Sequence, residues 1–590
     1  MSDGNFKPSH ASLWLIGLAW TLPFLQPYHR YPLTGFYSEW LALALGLAGA
    51  LLLLRKDAWQ DAALPAVALA PLGLAAIIGL HGALGWSPYA GQPTTAALYL
   101  LWAAMIVVLG HALRARATLP DVAATLSWFL LAGGMLTAVV GLLQHFQVST
   151  SFDFLIGRKV AAQVYGNLGQ PNHAASYLAL SLVAGTYLYC TRRLGAAPAT
   201  GCAWLLLLVL VLTGSRSAWL YLAVVVALAL LLHRKRKDAE SRKFALAAPA
   251  LLAGYVVAHG VAALPFMAGS GGQATAMDRL FEMATGVDAR LQLWAEGWAM
   301  FQQAPIHGAG WGWFSWNHFL HSEAQPVAPA PGLYNHAHNV LIHLLAETGL
   351  AGAAILVGAA AMWISDLKRM RMDPEYWWVF SLLGILSVHS LLEYPLWYSY
   401  FLGMAALLAG LGSQRSLRLR RTLATRVAIG AGILAGCMHL VLFLAPYRDF
   451  ERLVFSPGAG RQASDAAFAE AVVALYREPL LEPYVELAIA LGTEVSADHL
   501  PEKIALLERA SHFAPVSIVA YRQAMLLALA GDDDAALRQF HRALHAYPGD
   551  IEEVVSQLRA LRARHPGRFE RLLDSALARG AALRRDARSR

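Results

Sequence analysis

The 590-residue chain is 57% apolar and only 14% charged, with a formal net charge of +8. A soluble fold of this size would carry roughly 45–50% apolar and about 25% charged residues, so the composition excludes an ordinary soluble protein and points to a membrane. The positive balance calls for no nucleic-acid partner, because Lys and Arg accumulate in the cytoplasmic loops of membrane proteins.

Crossing roughly 30 Å of hydrocarbon takes about 17–25 mostly apolar residues in a helix. Such stretches predict an all-α, polytopic transmembrane bundle of about 13 spans. We place them approximately at 11–27, 36–54, 63–84, 95–113, 121–146, 172–190, 200–214, 217–233, 245–267, 338–364, 376–392, 396–413 and 425–446. With a cytoplasmic N-terminus, the basic clusters Arg55/Lys56, Arg114/Arg116, Arg192/Arg193, Arg234 to Lys237, Lys368/Arg369/Arg371 and Arg415 to Arg421 all fall inside. The loops near 147–171, 214–217, 268–337 and 392–396 then lie outside, with everything after 446. The first span lacks a convincing cleavage site and reads as retained. Cys190, Cys202 and Cys437 fall within spans, without the spacing of a disulfide framework or metal site.

Residues 1–446 thus read as the transmembrane domain and 268–337 as a long outside loop within it, while 447–590 read as a water-exposed helical domain on the same side. In that last segment Ala536, Phe540, Ala543 and Pro548, with Gly531 before them, match the second helix of a tetratricopeptide-type repeat, and Leu507, Ala510 and Pro515 form an earlier partial copy. Two copies do not make a self-sufficient solenoid, so this TPR-like domain is expected to pack on the membrane part or on a partner. A plain helical bundle is the alternative. Asp532, Asp533 and Asp534 are read as capping the next helix.

The loop at 268–337 is far longer than a connection needs. It leads into His338 and Asn339 at the start of the tenth span, with His343, Glu347 and Gly349 inside it. On a continuous helix His338 and His343 would stand about 140° apart, which disfavours a metal pair, whereas His343 and Glu347 share a face at i,i+4. Glu347, roughly 14 Å below the outer end, needs a partner or a proton. Arg216, in the tight connection Thr213 to Ser217, and Arg290, in the long loop, could each be structural, but together they suit an anion such as pyrophosphate. Gly166 to His173, with Gln170 and Asn172, and Leu392 to Pro395, with Glu393 and Tyr394, are polar interruptions that could equally be turns and caps. Trp311, Trp313, Phe314 and Trp316 read most simply as interfacial anchors, with sugar stacking second.

On these residues the chain resembles the O-antigen ligase and polymerase superfamily, and within it the bacterial PglL-type protein O-oligosaccharyltransferases, or pilin glycosylation ligases. The segments that carry the resemblance are His338-Asn339 through His343 and Glu347 to Gly349, Pro305-Ile306-His307-Gly308 with Gly310-Trp311, Glu393-Tyr394-Pro395-Leu396, and Gln170-Pro171-Asn172. The resemblance implies a bacterial inner-membrane enzyme. It would take a preassembled oligosaccharide from undecaprenyl pyrophosphate and transfer it to Ser or Thr hydroxyls of an acceptor protein such as pilin. In that reading His338 is the base and Arg216 and Arg290 bind the donor pyrophosphate. Asn339, His343, Tyr394, Glu393, Gln170, Asn172 and Glu347 contribute to donor or acceptor binding. No cofactor and no metal are expected, since arginines would make a divalent cation unnecessary. Ligation to lipid A core and glycan polymerisation are the alternatives within the superfamily. A transporter is the alternative outside it and would show broken helices and midplane polar sites.

Overall fold

The computed structural model describes residues 8–51, 63–157, 163–267, 289–321, 332–367, 372–418, 423–455 and 465–589. Its helices in chain order are α1 (Pro8–Ala19), α2 (Leu22–Leu25), α3 (Phe36–Leu51), α4 (Leu69–Ala83), α5 (Gly91–Arg116), α6 (Leu119–Phe146), α7 (Pro171–Cys190), α8 (Ala196–Leu212), α9 (Ser217–Arg236) and α10 (Ala239–Ala262). They continue as α11 (Ala289–Gln303), α12 (Phe314–His321), α13 (Val340–Leu367), α14 (Pro374–Leu392), α15 (Ser399–Gly412) and α16 (Leu423–Phe455). The C-terminal run is α17 (Asp465–Tyr476), α18 (Glu482–Gly492), α19 (Leu500–Phe513), α20 (Ser517–Ala530), α21 (Asp533–Ala546), α22 (Ile551–Arg564) and α23 (Glu570–Ser589).

Each expected span coincides with a helix, and eight helical stretches among the described residues are long and apolar enough to cross a membrane. Shorter apolar helices fill other expected spans, including Phe36–Leu51, Ala196–Leu212 and Ser399–Gly412. The protein is a multi-pass helical membrane protein. Two expected spans are not continuous. The first is interrupted after Ala19, where Pro23 opens the short α2. The tenth breaks at Gly349. A three-residue ribbon also pairs Ala63–Pro65 (β1) antiparallel with Ser416–Arg418 (β2), a feature too short for any sequence pattern.

The chain folds into two compact units. Met1–Leu74, Tyr99–Gly286 and Ile355–Leu444 make the first, and Ala75–Leu98, Val287–Ala354 and Ala445–Arg590 the second.

In the first unit the helices are apolar on all sides, as expected of elements that meet either lipid or each other. Trp377, Trp378, Tyr177 and Tyr187 fill its centre and are fully buried. Thr118 caps α6, its hydroxyl accepting from the Asp121 amide, and Asp238 with Ser241 forms a capping box on α10. The charged ends are joined. Arg114 donates to the carbonyls of Leu411 and Ser413, the Tyr376 hydroxyl donates to the Gln414 side-chain oxygen, Arg236 pairs with Asp373, Arg193 with Asp121 and Arg415 with Asp366. These contacts gather the C-terminal ends of α5, α7, α9 and α15 with the N-terminal ends of α6 and α14. The opposite ends of α7, α9 and α14 carry Asn172, Arg216 and Glu393. Those helices have 20, 20 and 19 residues, so roughly 30 Å separates the basic end from the Asn172 end, one hydrocarbon thickness.

In the second unit α18 packs on α19, α19 on α20, α20 on α21, and α23 on both α21 and α22. Ala536, Phe540, Ala543, Leu507 and Ala510 are fully buried. Gly531 takes the left-handed conformation that ends α20, and Asp532 caps α21 by accepting from the Ala535 amide. Helix α12 joins this group, with Phe319 in the core formed by Ala520, Ala524 and Phe540, and with Ser315 donating to the Phe513 carbonyl. Tyr89 donates to Glu486, which also pairs with Arg509.

Candidate functional site

The site residues fall into two clusters, one in each unit. In the second unit the chain reaches α13 through Tyr334-Asn335-His336-Ala337-His338-Asn339. His338 lies ahead of the helix rather than in its first turn, with φ +51°. Asn339 is the cap, its Oδ1 accepting from the amides of Leu341 and Ile342. The 140° separation expected of His338 and His343 on one helix therefore does not apply. A non-glycine residue held in the left-handed region is uncommon and costs on the order of 1–3 kcal/mol.

Helix α13 then breaks at Gly349, where φ is 64° and ψ −159°. The segment 305–310 crosses the break and supplies the hydrogen bonds that the helix loses. Ala309 and Gly310 donate to the carbonyls of Ala346 and Glu347, while Leu350 and Ala351 donate to those of Pro305 and Ile306. Backbone meets backbone so closely that a Cβ on Gly308 would lie 2.2 Å from the Glu347 carbonyl carbon, and one on Gly349 would lie 2.5 Å from the Ile306 carbonyl. Glycine is required at both positions.

This crossing fixes the partner that Glu347 requires. One carboxylate oxygen lies 3.3 Å from His343 Nε2, and the other accepts from the Phe314 amide at 2.9 Å. His343 is enclosed by the rings of Trp311, Phe314 and His336. Phe314 is buried, Trp313 donates to the Trp86 carbonyl and Trp316 packs on His512. Trp311, Trp313 and Trp316 are each partly exposed while making these contacts within the chain. Replacing Glu347 by leucine is expected to destabilise the protein by about 3–5 kcal/mol, since His343 and the Phe314 amide lose their partner. Glutamine, which retains an acceptor and a donor, should cost far less. Thermal unfolding of the purified variants measures both.

A second pair was not foreseen. His318 donates through Nδ1 to Glu296 at 2.6 Å, both side chains being almost fully buried. The Tyr334 ring lies 5.4 Å from His318 and 6.0 Å from His338. Nothing in the spacing of residues 296 and 318 announces this contact. Arg290 is half-buried in the first turn of α11, the helix that carries Glu296.

Burial keeps His336 neutral and pushes its pKa well below the ordinary 6.5, and His343 and His338 add to the effect. The unfolded chain binds this proton near pH 6.5 and the folded chain does not, so this contribution to stability is lost as pH falls below 6.5. His336→Phe is expected to flatten the fall in melting temperature between about pH 7.5 and about pH 5.5.

In the first unit three distant sequence segments meet. Asn172 Nδ2 donates to Glu393 at 2.7 Å, and Ser215 Oγ donates to Asn172 Oδ1 at 2.7 Å. Arg216 follows Ser215 and is half-buried at the N-terminus of α9. Gln170 precedes α7, and its Oε1 is buried with no hydrogen-bond partner among the described residues. Tyr394 stacks on Tyr398, and burial raises its hydroxyl pKa, with Glu393 adding to the rise. His173, one residue past Asn172, contacts the rings of His389, Tyr398 and Phe401. The part of the motif at Asn167 is structural. Its side chain donates to the carbonyls of Leu25 and Leu155 and accepts from the Gly157 amide.

Fold and clusters together define a multi-pass helical membrane protein with histidine, arginine and carboxylate groups at the ends of its helices. In sequence it is similar to O-antigen ligases and protein glycosylation ligases. Three family models match in sequence along the chain: protein glycosylation ligase over residues 164–189, O-antigen ligase over 201–357, and the C-terminal part of a virulence factor membrane-bound polymerase over 377–560. Among curated proteins, a general O-oligosaccharyltransferase of Acinetobacter baylyi (strain ATCC 33305 / BD413 / ADP1) is 25% identical over 401 residues, which is 67% of this chain and 68% of the relative.

Proposed function

We propose that this protein is a glycosyltransferase that moves a preassembled oligosaccharide from undecaprenyl pyrophosphate to Ser or Thr hydroxyls of acceptor proteins such as pilin, at the periplasmic face of the bacterial inner membrane. The observation that carries the reading is the similarity to a general O-oligosaccharyltransferase over two-thirds of both chains, together with the O-antigen ligase match across the segments that hold His338, Arg216 and Arg290. The separation of the basic helix ends from Asn172, Arg216 and Glu393 supports the placement, because positive ends face the cytoplasm.

In this reading the acceptor hydroxyl oxygen attacks the anomeric carbon of the first sugar. The bond from that carbon to the pyrophosphate oxygen breaks, and the lipid pyrophosphate leaves with the electron pair. His338 takes the hydroxyl proton. Arg216 and Arg290 bind the pyrophosphate and stabilise the charge that grows on it. Gln170, Tyr394, Asn339 and His343 shape the donor and acceptor sites, with Glu347 holding His343.

The test is glycosylation in a ligase-null bacterium that offers pilin and lipid A core as competing acceptors. Glycan on pilin is the expected result. Glycan on lipid A core alone would make the protein an O-antigen ligase, and lengthened lipid-linked glycan would make it a polymerase.

A further inference from the structure

Asn172 and Glu393 stand beside Arg216, yet both ends of the Asn172 amide are already engaged within the chain. An ionised carboxylate only accepts hydrogen bonds, so Nδ2 must face Glu393, and Oδ1 is left to accept from the Ser215 hydroxyl. Ser215 and Glu393 are almost fully buried. The turn that Ser215 occupies is pinned from its other side as well, since the Ser215 amide donates to Thr213 Oγ1 and the Thr213 hydroxyl donates to the Leu210 carbonyl. Gly214 supplies the left-handed residue that the turn requires. The next residue is Arg216.

We propose that Glu393, Asn172 and Ser215 form a hydrogen-bonded brace that fixes the backbone of Arg216 and acts on the donor only through that arginine. The proposal rests on the role given to Arg216 above. It makes Asn172, Ser215 and Glu393 positioning residues, and it explains why a helix start, a two-span connection and a helix end far apart in the chain all carry polar residues. A guanidinium that must meet two phosphate oxygens at once gains from a fixed origin, because misplacement by about 1 Å can cost 100-fold in rate.

An exchange of acid and amide tests the brace in the full-length purified protein with lipid-linked donor and acceptor. Asn172→Asp alone sets two carboxylates face to face and is expected to lower transfer about tenfold or more. Adding Glu393→Gln moves the amide to the other side of the same contact. The carboxylate now at position 172 can then accept from both the amide at position 393 and the Ser215 hydroxyl. Transfer should return to within about threefold of wild type, with the apparent KM for the donor recovering in parallel. If Asn172 or Glu393 touched the donor directly, the exchange would leave both groups misplaced, and a double variant no better than the single one overturns the brace. Should Asn172→Asp fail to fold, Ser215 decides. Ser215→Thr retains the hydroxyl and should retain activity, Ser215→Ala should lose it, and equal activity of the two overturns the proposal. An active Arg216→Ala variant would instead remove the role of Arg216, whatever the exchange gives.

Discussion

His338→Ala is expected to lower the transfer rate by about 10²–10⁴-fold, the range contributed by a positioned general base, while the lipid donor still binds. Single-turnover kinetics with lipid-linked donor and a Ser-containing acceptor measure the rate, and a donor-binding assay measures the rest. The argument rests on how the residue is held. His338 keeps a left-handed backbone one residue before the Asn339 cap, and its ring lies against Tyr334. Local strain of this kind persists only where the surroundings enforce it, and it aims a side chain without help from flexible neighbours. His338→Asn is the informative companion, because Asn tolerates the same backbone yet cannot serve as the base. It should be as inactive as the alanine variant. Near-wild-type rates in either would end the assignment.

The second large effect concerns charge. Arg216→Ala and Arg290→Ala are each expected to lower the rate by about 10²–10³-fold, the cost of removing one group that stabilises charge as it develops. The lysine variants should recover only part of the loss, because an ammonium is a point charge and cannot make the paired contacts of a planar guanidinium. Full recovery with lysine would reduce the arginines to general attraction. The measurement is the rate at saturating and at limiting lipid donor, which separates binding from stabilisation of the leaving pyrophosphate.

Much of the membrane fold was legible in the sequence, because length and apolarity alone determine what crosses a bilayer. Among the described residues, every span from 36–54 to 425–446 coincides with a helix over most of its length. The break at Gly349 was not legible, since it depends on a segment some forty residues earlier that meets it through backbone atoms and leaves no periodic signal. The same holds for His318 and Glu296, whose contact joins two helices of one long loop. Asn172, Ser215 and Glu393 were each visible as polar interruptions, and their meeting was not, because hydrogen bonds between segments 221 and 43 residues apart follow no spacing rule. His173 stood beside Asn172 in a segment already singled out, and only packing revealed its ring neighbours.

The backbone latch between residues 305–310 and the broken helix has a consequence for how this region can change over time. Its four bonds run between main-chain atoms, so they are indifferent to the side chains of Ile306, Ala309, Ala346 and Ala351. Selection is therefore free to change the exposed Ile306 and Ala351, whereas Ala346 is held by its place in the core with Leu293, Met300 and Phe314, against which Ala309 packs. Gly308 and Gly349 have no such freedom, since any added atom meets the opposing main chain. In a saturation library scored for function these two positions should be intolerant, as should Gly310, where an added Cβ would lie 2.0 Å from the Trp86 carbonyl oxygen, and Glu347 with its buried partners, although the glycines act through packing alone.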